Sequence, residues 1–314
     1  MPRNFRIVVQ IANADAFWVQ VREAVFQRAQ QLGIDVVVLD VEDPYAFPVV
    51  EHMVRVEELL AQEIDAVICL DWPENLARQA LQINIPIIQV SETDIRHPLF
   101  VSMLGLYDIA RDVGHFLAER LEQHGRVLAV GGLLYGLGED GKSRASGLTA
   151  ALAQYPGIEL RHVPSLWTYE SGFEQVQRTE WTAGERFDAV FGLSDSLALA
   201  ARDAGREIGL IDSRTLIVGI NGDPLALAAI LDGSMTATVE TSALDIARQA
   251  VDTALRAAQK QPYPAHLDYN PVFVTAENVN AIAARKLTAI ASLPSRLIGD
   301  NRRQSHQRLA QLET

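Results

Sequence analysis

The sequence predicts an α/β protein of two doubly wound, parallel-sheet lobes, and three observations predict it. Short β-branched runs alternate with longer amphipathic segments, the pattern of strand–helix–strand units in a parallel sheet. The alternation breaks at Pro98-Leu-Phe-Val-Ser102, and a second series of similar size follows. Polar residues gather just after the strand ends, where the loops of open α/β sheets offer a crevice for ligands. At 314 residues the chain is long enough for two lobes, because single cores stop growing at roughly 250–300 residues.

The first series predicts strands over 5–11, 34–40, 65–70 and 85–90, with helices over 17–32, 48–62 and 73–82 between them. In the first helix Val21, Val25, Ala29 and Leu32 fall at three- and four-residue spacing, an inward stripe. The second series predicts helices over 107–123, 142–154, 169–183, 194–207 and 224–231, interleaved with strands over 126–130, 158–163, 187–191, 215–220 and 235–239. A helix over 243–259, an extended stretch over 271–275 and a helix over 276–286 complete it. The tail over 292–314 differs. Arg296, Arg302, Arg303 and Arg308 punctuate it, so it reads as a linker or as a helix that needs a partner.

Composition excludes several classes. A formal net charge of −13 argues against a phosphate-backbone binder and against docking on an anionic membrane. No apolar stretch approaches the 18 or so residues of a membrane span. The lone Cys69, in the apolar run 65–70, excludes an intramolecular disulfide and any multi-cysteine metal site; it reads as a buried small residue. No secretory h-region precedes the first strand, so a cytoplasmic location is expected. The histidines form no HExxH or comparable pair, so neither a metal nor a cofactor is expected.

One motif is tempting. Gly136-Leu-Gly-Glu-Asp-Gly141-Lys142-Ser143 matches the phosphate-cradling pattern GxxxxGK[ST]. Its context is wrong: the preceding strand ends at Val130, and Glu139 and Asp140 would place two carboxylates in the cradle. It reads as a loop before a helix, with nucleotide binding as a minor alternative. Gly192-Leu-Ser194-Asp-Ser196 lacks the final glycine of a nucleophile elbow. The chain is therefore expected not to be an enzyme.

Several separate segments carry a resemblance. Ile11-Ala-Asn13-Ala-Asp-Ala-Phe17-Trp18, Ile85-Pro-Ile-Ile-Gln-Val90, Arg144-Ala-Ser-Gly147, Phe191-Gly-Leu-Ser194-Asp195, Val218-Gly-Ile-Asn221-Gly222-Asp223 and Met235-Thr-Ala-Thr-Val-Glu240-Thr241 occur in that order. In this the chain, from about 5 to 287, resembles the type I periplasmic sugar-binding proteins and the effector domains of lac-repressor-type regulators. The resemblance implies a lobe of 1–102 plus 239–270, a second lobe of 103–238 plus 271–287, and a linker or signalling helix over 288–314. It implies hinge closure about three crossings near Ser102, Val239 and Asn270.

It also implies a ligand set: Asn13, Phe17, Trp18, Asp71, Ser91, Glu92, Arg144, Trp167, Ser194, Asp195, Asn221 and Thr241. The chemistry suits a carbohydrate-like guest. Rings cover a C–H face, a guanidinium offers a rigid fork of donors, and asparagines give a donor and an acceptor together. Where ribose binders of the resembled family carry Asp-Arg, this chain has Ser91-Glu92, so their specificity does not transfer. Two roles follow: the sensor domain of a signalling protein such as a histidine kinase, dimerising through its tail or fused to an output domain, or, as the alternative, the solute-binding receptor of a transporter.

Overall fold

A computed structural model describes residues 4–11, 16–39, 63–70, 74–93, 97–132 and 141–291. The described residues divide into two compact units: those up to Leu104 with Ala243–Tyr269 and the final 289–291, and Gly105–Ser242 with Asn270–Thr288.

The first unit contains β1 (Arg6–Gln10), α1 (Ala16–Gln31), β2 (Asp35–Val38), β3 (Ala66–Cys69), α2 (Glu74–Gln82), β4 (Ile87–Gln89) and β5 (Phe100–Leu104). The second contributes α3 (Leu106–Arg120), β6 (His124–Val130), α4 (Lys142–Leu152), β7 (Gly157–Val163), α5 (Tyr169–Arg178), β8 (Ala189–Gly192), α6 (Asp195–Glu207), β9 (Leu216–Asn221), α7 (Pro224–Leu231) and β10 (Ala237–Glu240). The chain then returns to the first unit with α8 (Ala243–Ala258) and β11 (His266–Asp268), and to the second with β12 (Val272–Thr275) and α9 (Val279–Ala291).

The first sheet runs β11-β5-β4-β3-β1-β2, parallel throughout. The second runs β12-β10-β9-β8-β6-β7, parallel except for the antiparallel edge strand β12. Strands β3, β4 and β8 are buried at every residue, which is why they read as continuous apolar runs rather than alternating ones. In the first unit Val8, Val67, Ile87 and Phe100 pack against Ala77, Ala80 and Leu81 of α2, while α8 lies on β3 and β4 and packs against α1. The second core gathers Leu128, Val130, Val190 and Ile217 with Ala198, Ala201 and Ile230. Helices α3 and α4 approach so closely that a Cβ on Gly147 would stand 2.1 Å from the Tyr107 carbonyl oxygen.

Several boundaries differ from the sequence reading. Ser102 and Val239, expected at crossings, are ladder residues, paired with Gln89 and with Ile220; the chain changes unit after Leu104, Ser242 and Tyr269. Helix α5 stops at Arg178 rather than at 183, because Thr179 turns extended and the Trp181 indole donates back to the Val176 carbonyl. Strand β11 was not expected; it has three residues, only Leu267 buried. The expected helix over 48–62, the GxxxxGK[ST] loop up to 140 and the tail from 292 lie outside the described residues.

Candidate functional site

The carboxyl ends of β6, β8, β9 and β10 are adjacent in the second sheet, and a buried polar frame shapes them. Ser194 caps α6, its hydroxyl accepting from the Leu197 amide. Asp195, the next residue, is fully buried. Its Oδ1 accepts from the Thr238 hydroxyl at 2.6 Å and its Oδ2 from the Asp223 amide at 2.7 Å. Thr238 in turn accepts from the Gly222 amide, and Lys286 of α9 donates to the Gly222 carbonyl and faces Glu240 at 3.5 Å. Burial pushes the Asp195 carboxyl up to about 6, against the pull of Thr238, the Asp223 amide and Lys286.

The frame holds two loops. β9 ends on Asn221 at φ 127, followed by Gly222 at φ 70; a Cβ on Gly222 would stand 2.4 Å from Cγ of Glu240, so glycine is required there. At the end of β10 the Glu240 carboxylate accepts from the Ser242 amide, and Thr241 lies between them in sequence. Asn221 and Thr241 are buried, and neither Asn221 Oδ1 nor Thr241 Oγ1 has a hydrogen-bond partner. Such atoms are costly unless something bonds to them.

Beside these loops Arg144 stands in the first turn of α4, buried, donating to the Leu193 carbonyl just past β8. Its guanidinium lies 5.2 Å from the Trp167 ring centre, a cation–π arrangement. Gly141 lets α4 begin here, since a Cβ on it would come within 3.1 Å of the Gly132 Cα and 3.3 Å of the Trp167 ring.

In the first unit the matching carboxyl edge is also polar. Ladder register sets Gln10, Cys69, Gln89 and Ser102 in one row, all buried. Gln89 Nε2 donates to the Ser91 hydroxyl at 2.9 Å and to the Glu92 carbonyl at 3.4 Å, and the Ser91 hydroxyl donates to the Leu70 carbonyl. Phe17 is buried and meets the half-buried Trp18 edge to face at 5.0 Å.

The sequence-derived residues thus fall into three groups. Arg144, Trp167, Ser194, Asp195, Asn221 and Thr241 share the carboxyl edge of the second sheet. Ser91 and Glu92 follow β4 in the first unit, and Phe17 and Trp18 open α1. Asn13 and Asp71 lie outside the described residues. Sequence reasoning missed Thr238, Lys286, Gln10 and Gln89; each sits inside a strand or helix, where its letter signals only a solvated or pleated position. Among the described residues no group of three or more His, Cys, Asp or Glu gathers to hold a metal, and no helix is long and apolar enough to cross a membrane.

Comparison with known proteins gives a coherent result. A family profile described as periplasmic binding protein domain matches residues 6–262. The ribose import binding protein of Escherichia coli (strain K12) is 25% identical over 257 residues, covering 79% of this chain and 82% of that protein. Among solved structures, the arabinose-transporter binding protein of Shewanella sp. ANA-3, bound to L-arabinofuranose, superposes with a TM-score of 0.79 at 23% identity, over 92% of this chain and 97% of that one. The fructose-binding periplasmic domain of a hybrid two-component system gives 0.77 at 22% identity, over 96% and 100%. These relatives are binding proteins, not enzymes. The matches overturn the expected cytoplasmic location: the family is periplasmic. That expectation leaned on the opening residues, whereas the match is carried by the body of the chain from residue 6 onward.

Proposed function

The chain belongs to the periplasmic binding protein family, and on that premise we propose that it binds a hydroxyl-rich, sugar-like ligand at the carboxyl edges of its sheets and hands it to an import system. The carrying observation is the pair of buried, unpartnered acceptors Asn221 Oδ1 and Thr241 Oγ1 on loops locked by Asp195, Thr238 and Lys286. A rigid frame that presents unsatisfied acceptors is what a donor-bearing ligand requires. The Arg144 guanidinium and the Trp167 ring add the fork and the apolar surface that sugar recognition uses. Asp195 acts behind them, as a positioning residue. Asn13, Phe17, Trp18, Asp71, Ser91 and Glu92 are proposed to contribute contacts from the first unit.

A second reading, sensor domain of a signalling protein, is favoured by one observation: the similarity to the two-component fructose-binding domain spans 96% of this chain. Thermal shift across a sugar panel tests the binding claim. A ligand should raise the melting temperature in a saturable manner, and Arg144→Ala should erase the rise; no shift with any sugar would sink the proposal. Growth on the identified sugar after deletion of the gene, set against ligand-dependent phosphorylation in the intact cell, separates import from sensing.

A further inference from the structure

The carboxyl edge of the first sheet carries a second pair of bare, buried acceptors. Gln10 closes β1 and Gln89 closes β4, and both side chains share one face because their ladder partner in each case is Cys69. Gln10 is 9% exposed and Gln89 2%, and neither Oε1 has a hydrogen-bond partner. The orientation of the Gln89 amide is fixed chemically. Its Nε2 points at the Glu92 carbonyl, which accepts and cannot donate, so Oε1 is the atom left over. The two glutamines stand two strand spacings apart, about 9–10 Å between backbones, with the short side chain of Cys69 between them. That gap is one that two glutamine side chains can close upon a small group.

Among the described residues the fixed charges at this edge are negative. Glu92 follows β4 and Asp268 ends β11. Among the described residues at the strand ends (10–11, 69–70, 89–93, 104 and 268–269) there is no lysine or arginine. A hydroxyl brings a single proton and lone pairs that themselves ask for a donor. An ammonium brings three protons and no lone pair. A pair of buried carbonyl oxygens, on an edge whose described fixed charges are acidic, serves the three protons of an ammonium more fully than the single proton of a hydroxyl.

We propose that the Gln10 and Gln89 carbonyl oxygens form the seat for a protonated amino group, so that the ligand is an amino-substituted sugar or cyclic polyol. This rests on the sugar-binding reading above. The test is titration calorimetry in which each neutral sugar or polyol that binds is paired with its amino-deoxy analogues, D-glucose with D-glucosamine, D-galactose with D-galactosamine, and myo-inositol with its amino analogues. At a pH below the amine's own pKa, one analogue should bind at least tenfold tighter than its parent. The advantage should shrink as the pH rises past that pKa, while the parent's affinity stays level.

Gln89→Met keeps the length of the side chain and removes the acceptor, so it should bring amine and parent to parity. Because it also releases Ser91 and Glu92, Gln10→Met, which touches neither, serves as the second variant and should cut the preference in the same direction. Parity in the wild type, or a preference that survives both variants, overturns the amine seat and leaves the sugar-binding reading standing. Failure of every compound, neutral or amino, to bind overturns that reading itself and the seat with it.

Discussion

The two ends of the second sheet treat buried charge in opposite ways. At the amino end Glu185 has its needs met: it accepts from Arg126 and Arg161, each at 2.9 Å, and from the Thr182 amide at 2.8 Å. The two guanidiniums lie over the rings of Phe187 and Trp181, and both arginines keep about a third of their side chains in solvent. At the carboxyl end Asp195 is hydrogen-bonded too, but the two loops it holds keep buried acceptors that are left bare. One end spends its polar groups on the fold. The other uses a buried network to hold unspent groups in place, and that asymmetry marks where a guest belongs.

If this contrast is right, the two acids should not cost the same to remove. Asp195→Ala takes the acceptor from two buried donors, the Thr238 hydroxyl and the Asp223 amide, and frees the Gly222–Asp223 turn. Leaving a buried donor without its acceptor costs about 1–3 kcal/mol, so denaturant unfolding should show a loss of about 2–5 kcal/mol for the two donors, together with abolished ligand binding. Glu185→Gln leaves two arginines that water can still reach, so about 1–2 kcal/mol is expected, with ligand affinity unchanged. Equal losses, or an affinity change from Glu185→Gln, would erase the distinction between the ends.

The pH dependence sharpens it, because the two carboxyls move in opposite directions. Burial raises Asp195 from 3.8 to about 6. Between those values the folded chain holds a proton that the unfolded chain has lost, so its contribution to stability falls as pH rises and is flat above about 6. For Glu185 burial also works against the charge, but the Thr182 amide, Arg161 and Arg126 prevail and hold it below its ordinary 4.5. Its contribution is present above 4.5 and drains away as pH falls through the folded value. Stability curves of wild type minus Asp195→Asn and wild type minus Glu185→Gln should therefore slope oppositely in acid; slopes of the same sign would show that one carboxyl is misassigned.

The frame of this molecule was more legible in the sequence than its site. Helix α7 was read to the residue, and Pro224 stands at its start, where a proline's missing amide costs nothing; α6 was read one residue long, since Ser194 is its cap. Strand β11 was invisible because one buried residue makes no alternation. The residues at the strand ends could be named from their resemblance to a family, but their division of labour could not. That Asp195 bonds to Thr238, 43 positions away, while Asn221 keeps a bare oxygen, depends on distances that no spacing in the chain encodes.

Thr241 gives the smallest and most discriminating effect. The residue is 1% exposed and its buried hydroxyl has no partner in the protein, so in the empty protein it is a desolvated group with nothing to show for it. Thr241→Val keeps the shape and removes the group. The apo melting temperature should hold or rise slightly, corresponding to about 1 kcal/mol at most, while ligand affinity drops about 5–10-fold, the worth of one hydrogen bond. An ordinary structural threonine would behave the other way round, losing stability and sparing affinity. The two measurements on one variant therefore decide whether the bare atoms at this end of the sheet are kept for a ligand or are defects of the fold.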